Sequence, residues 1–65
     1  MKSYSSREVI KALKADGWYL HHTTGDHCQF KHPVKNGCVT VKHPTKDFAP
    51  GTIRGIERQS GLRFR

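Results

Sequence analysis

The chain reads as an α+β fold in which a helix, a three-stranded antiparallel sheet and a second helix follow one another, with both helices on one sheet face. Three observations predict it. A helix-capping signature precedes an apolar stripe of helical spacing near the start. Three short stretches then alternate with period two between turn residues, and a second helical stripe follows Pro50-Gly51.

The elements follow in order. Ser5-Ser6-Arg7-Glu8 fits a capping box, in which Ser5 and Glu8 each satisfy the other's backbone amide. Tyr4 and Val9 occupy the positions of a hydrophobic staple. Val9, Ile10 and Leu13 make the apolar stripe, Arg7, Lys11 and Lys14 lie mostly off it, and Gly17 after Asp16 is a left-handed stop, so the helix is expected over Ser6–Asp16. Trp18 to His22 alternates, with Trp18 and Leu20 inward and Tyr19 and His21 outward. Thr23-Thr24-Gly25-Asp26 is a turn by composition, and the strand after it runs to Pro33. Asn36-Gly37 signals a hairpin within a Pro33–Gly37 loop longer than two residues. Cys38 to Lys42 alternates again with Val39 and Val41 inward. After the loop that begins at His43, Pro50 suits the first turn of the closing helix, with Ile53 and Ile56 inward, Arg54 and Arg58 as a basic outer ridge, and Gly61 as its cap beside Leu62.

Sixty-five residues suit one domain over 1–65. A chain this small hides only about 60% of its unfolded surface. Chemistry is therefore expected on an open face or shallow groove. Twelve Lys and Arg against five Asp and Glu give a net charge of +7. That excess favours a polyanionic partner, because neutralising phosphates releases condensed counterions. No apolar leader follows Met1 and no run has the length of a membrane span, so a cytoplasmic protein with reduced thiols and no membrane partner is expected. Cys28 and Cys38 have opposite strand parity, which disfavours a bridge.

With both helices on one face, the other face is open to water. Strand parity gives it Tyr19, His21, His27, Gln29, Lys31, Thr40 and Lys42, a basic and histidine-rich set. Phe30 anchors the opposite face. His27, just past the glycine turn, stands beside Gln29 and Lys31, where a titrating group can meet a phosphate. An imidazole of ordinary pKa near 6.5 populates both protonation forms near neutrality. A bulge in any strand would reverse the parity beyond it. Cys28-x-x-x-His32 with Cys38-x-x-x-x-His43 loosely has zinc-knuckle spacing. It lacks a paired Cys-x-x-Cys, and Cys38 and His43 have opposite parity, so no metal site and no cofactor are expected.

With these residues placed, the chain resembles the HicA family of mRNA interferase toxins, whose fold is similar to a double-stranded-RNA-binding domain. The resemblance spans nearly the whole length. It rests on a helix ending in Asp16-Gly17-Trp18, on Gly25 to Phe30 in place of a Gly-Ser-His-x-x-Phe motif, on Val39-Thr40-Val41 with His43-Pro44, and on Pro50-Gly51-Thr52 before Ile56-x-x-Gln59-x-Gly61-Leu62. It implies a metal-independent endoribonuclease acting on mRNA, with His27 catalytic and a HicB-like antitoxin masking it. The motif's serine is Asp26 here. Strand parity aims Asp26 away from the substrate, although its place at the turn leaves that open.

Cleavage by attack of the ribose 2′-hydroxyl needs one proton removed and another delivered, so His27 requires a helper; His43, His21 and Lys31 are the candidates. Lys31 and Lys42 would contact phosphate, with Gln29 and Thr40 beside them as RNA contacts, and Tyr19 would stack on a base. The alternative is a non-catalytic RNA-binding module of the same architecture, with His27 only a contact.

Overall fold

The computed structural model describes residues 3–64, and its elements are α1 (Ser6–Ala15), β1 (Tyr19–Thr24), β2 (His27–Lys31), β3 (Val39–Lys42) and α2 (Pro50–Ser60). The start of α1 is the expected capping box. The Ser5 hydroxyl accepts from the Glu8 amide at 3.3 Å, and the Glu8 carboxylate accepts from the Ser5 amide at 3.1 Å. Val9 and Leu13 are fully buried, as their helical spacing requires. Asp16 caps the helix, and Gly17 turns the chain at a φ of 106°. Helix α2 opens with Pro50 in its first turn and ends on Gly61 in the left-handed conformation.

The strands form an antiparallel meander in the order β1-β2-β3. Phe30 on β2 and Val39 and Val41 on β3 join Val9, Leu13, Trp18, Ile53 and Ile56 in the core. The helices make their sheet contacts chiefly with β3. That explains one correction. Leu20, expected inward, pairs with Phe30 on the helix-side face yet remains 50% exposed, because it lies on the edge strand beyond the helices' cover. Phe48 completes the core from the loop before α2 and donates its amide to the Tyr4 carbonyl at 2.9 Å. Tyr4 packs partly on the core and meets Phe64 edge-on, with ring centroids 5.3 Å apart.

The β2–β3 loop is not a short Asn-Gly hairpin. It is gathered around His32, whose Nδ1 accepts from the amides of Val34 and Lys35, each at 3.0 Å. With Nδ1 an acceptor, Nε2 carries the proton and donates to the Asp16 carbonyl at 2.8 Å. The ring also stands edge-on to Trp18 at 5.2 Å. Lys35 donates to the Asp16 carboxylate at 2.6 Å and to the Ser60 carbonyl at 3.1 Å, so the ends of α1 and α2 are tied through this loop. The hydrogen bond and charge of Lys35 hold the Asp16 carboxyl below the usual carboxylate range.

Candidate active site

The site forms where the Gly25-Asp26 turn delivers the chain into β2. His27 is the first residue of that strand, paired with Thr24 on β1 and Lys42 on β3. Directly paired residues share a face. The register therefore groups Tyr19 with Lys31, His22 with Gln29, and Gln29 with Thr40 on the face that carries His27 and Lys42. Phe30, Val39 and Val41 on the other side are buried, so the His27 face is the one left open.

The bulge that parity could not locate lies in β1, between Leu20 and His22. His21 is the extra residue, outside the ladder, and His22 takes the place facing Gln29. The sequence pattern carried no mark of it: Tyr19-Leu20-His21-His22 contains neither glycine nor proline.

His27 has 57% of its side chain exposed. Its Nδ1 lies 3.1 Å from Oδ1 of Asp26, and Oδ2 of Asp26 lies 4.0 Å from Nζ of Lys42. The direction of Asp26, which its place at the turn left open, is toward the His27 ring. The turn, not the strand, sets its direction, and the Asp26 carbonyl is pinned by the His43 amide at 2.8 Å. A carboxylate therefore sits between an imidazole and an ammonium, all three at the solvent.

The five histidines separate by environment. His43 follows Lys42 and so turns to the helix side, where its Nδ1 lies 2.6 Å from the Ser6 hydroxyl. Ser6 is buried at the start of α1 and also accepts from the Thr45 amide at 2.9 Å. The His43 ring is thus held beneath the sheet, on the opposite side from the His27 ring. His32 is engaged at both ring nitrogens as described. His21 and His22 are exposed on β1, and of the candidate helpers Lys31 shares the face of His27.

Cys28 and Cys38 are free thiols. Among the described residues, no three side chains of His, Cys, Asp or Glu are grouped to hold a metal ion. The knuckle-like spacing thus does not converge. No helix among the described residues is long and apolar enough to cross a membrane. On the helix layer, Arg54 and Arg58 line a groove of about 450 Å³ with Glu57, Leu62 and Arg63. It lies apart from the open sheet face.

Comparison with known proteins gives this geometry a context. The family model described as HicA toxin of bacterial toxin–antitoxin matches residues 6–62, which takes in both helices, all three strands and the Asp26–His27 turn. The chain belongs to the HicA toxin family. The resemblance read from the motif order is therefore the family itself, and the expected fold is the observed one. A solved structure titled "HicA3 and HicB3 toxin-antitoxin complex" superposes with a TM-score of 0.83 at 26% identity, covering 95% of this chain and all of that one. A toxin–antitoxin complex from Streptococcus pneumoniae superposes with a TM-score of 0.72 at 27% identity, covering 89% of this chain and 97% of that one. No curated protein is similar to the chain at a comparable level of significance.

Proposed function

We propose that this HicA-family chain is a metal-independent endoribonuclease that cleaves mRNA, with His27 as the catalytic residue. The observation that carries the reading is the placement of His27, an exposed imidazole at the head of the central strand on a basic sheet face in a toxin-family fold. A 2′-hydroxyl attacks the adjacent phosphorus and gives up its proton. The bond to the 5′-oxygen breaks, that oxygen gains a proton, and the products are a 2′,3′-cyclic phosphate and a 5′-hydroxyl. His27 serves one of these transfers through its outward nitrogen. Lys31 and Lys42 supply positive charge where the phosphorane accumulates negative charge. Gln29 and Thr40, paired beside them, contact the strand of RNA, and Tyr19, half-exposed opposite Lys31, offers a stacking surface.

The second transfer falls to a group on the same face, and here the candidates change. His43 is held on Ser6 beneath the sheet. Lys31 stays, His21 is displaced from the ladder, and His22 joins Lys31 on the His27 face. The partner is an antitoxin of HicB type that covers His27; both solved neighbours are toxin–antitoxin complexes. A basic face favours an acidic cover and fast, steered capture.

The test is cleavage of single-stranded mRNA by purified protein in excess chelator, wild type beside His27→Ala. Expected are 3′ cyclic-phosphate ends from wild type and none from a folded His27→Ala protein. Undiminished cleavage by that variant would refute the mechanism. Salt-dependent RNA binding by wild type without new RNA ends would favour the binding module instead.

A further inference from the structure

The one acidic side chain touching the His27 ring stands where the family motif resembled by this chain has serine, and that contact has a chemical consequence. We propose that Asp26 is a positioning residue for His27: its carboxylate accepts the Nδ1 proton and so presents Nε2 to RNA as the nitrogen that exchanges protons. The proposal deepens the reading of His27 as catalytic and rests on it.

The geometry supports it from three sides. Oδ1 of Asp26 is 3.1 Å from Nδ1, a close ion-pair contact between two exposed side chains, and an ionised carboxylate can only accept from the ring. The neutral ring is then protonated on Nδ1, which leaves the Nε2 lone pair free to take a proton from a 2′-hydroxyl. Once Nε2 is protonated, the same ring donates from that atom, and Nδ1–H stays on Asp26 throughout. One atom therefore handles the transferred proton in both directions, and no ring flip is needed.

The Asp26 backbone is fixed independently of its side chain. Its carbonyl accepts from the His43 amide at 2.8 Å, which ties the turn to the chain just past β3. The backbone of the turn is thus anchored, while the carboxylate itself meets His27 and Lys42.

Lys42 answers the objection that a carboxylate repels phosphate. Its Nζ is 4.0 Å from Oδ2 of Asp26, on the oxygen that does not face His27. The negative charge is paired within the site, and the ladder places Lys42 directly across from His27. Lys42, Asp26 and His27 thus form a short chain of ammonium, carboxylate and imidazole along one edge of the open face. All three are substantially exposed, so the orienting effect is smaller than in the buried serine-protease arrangement.

Two measurements on Asp26→Asn and Asp26→Ala test this. Both keep an open turn position, and Asn suits turns, so at least one variant folds. Nitrogen-15 spectra of the His27 ring, recorded without RNA at a pH where the ring is neutral, are expected to show Nδ1–H with unprotonated Nε2 in wild type. In Asp26→Ala, population is expected to move toward Nε2–H. RNA cleavage is expected to lose about tenfold in kcat in each variant with KM within about twofold, as an orienting role on a solvent-exposed pair implies. An unchanged tautomer in Asp26→Ala, or wild-type kcat in both variants, overturns the proposal while leaving catalysis by His27 intact. An active His27→Ala protein overturns the underlying reading instead, and the tautomer measurement still stands alone.

Discussion

Gly17→Ala tests the junction on which the fold is assembled. Gly17 has a φ of 106°, and a Cβ built there meets Nε2 of His32 at 2.8 Å. Two costs add. An L side chain forced into positive φ costs roughly 1–2 kcal/mol. The second cost depends on whether His32 can move. Its ring is fixed by bonds to the Asp16 carbonyl and to the Val34 and Lys35 amides, and it stands against Trp18. Withdrawing it breaks at least the bond to Asp16, worth about 0.5–1.5 kcal/mol net. Together these reach roughly 1.5–3.5 kcal/mol, against the ~3–5 kcal/mol that one core of this size supplies.

Gly61→Ala is the internal control. Its φ of 77° carries the same kind of backbone cost, but the Cβ meets only Lys35 Nζ, at an ordinary 3.5 Å. Urea unfolding of the two variants, in sulfate buffer to keep the weaker one folded, is expected to separate them by about 1 kcal/mol. Repeating Gly17→Ala in a His32→Ala background is expected to reduce its cost to that of Gly61→Ala, since the obstructing ring is gone. Equal costs for Gly17→Ala in both backgrounds would refute the reasoning and leave backbone strain as the whole effect.

Three further outcomes follow from the same contacts. Ser6→Ala removes a buried hydroxyl that the Thr45 amide and the His43 ring both use, and is expected to cost about 1–3 kcal/mol in urea unfolding. Lys35→Met is expected to lower the melting temperature at neutral pH. Because Lys35 depresses the Asp16 pKa in the folded state, that stabilisation is present above the unfolded carboxylate value of about 3.9 and is lost as pH falls through the lower folded value, so the gap to wild type should close in acid. A gap that persists at pH values protonating Asp16 would show that Lys35 acts through Ser60 alone. Lys31→Ala, measured in a His27→Ala background to prevent cleavage, is expected to weaken RNA binding across sequences and to reduce the slope of log affinity against log salt by about 0.7–1; an unchanged slope would remove Lys31 from the interface.

Most of the fold was legible because local signals and global packing agree. The Ser5–Glu8 box, the stripe of Val9 and Leu13, Pro50 and Gly61 each state a boundary chemically, and each boundary lies where the signal puts it. Parity also placed Phe30, Val39 and Val41 correctly, since β2 and β3 are regular. The failures share a cause. The β1 bulge and the exposure of Leu20 are set by what packs or pairs elsewhere, and no residue type announces them. Phe48 escaped for a related reason. A single aromatic between loop residues has no periodicity, and only the packing that gathers the loop shows it to be core.

The histidines show how far residue type alone leads. All five are equivalent as letters, and only their neighbours sort them. His32 and His43 are held at ring nitrogens by backbone or hydroxyl groups and serve the fold. His27 lies 3.1 Å from a carboxylate at Nδ1 and has 57% of its side chain exposed. His32, bonded at both nitrogens, has no atom left for a substrate, and His43, bonded at Nδ1, lies beneath the sheet, whereas His27 stands exposed with a carboxylate beside Nδ1. Engagement at one nitrogen, rather than mere exposure, is what distinguishes His27 from His21 and His22 on the adjacent strand, and it makes the Asp26 contact the feature of this site that deserves the first substitution after His27 itself.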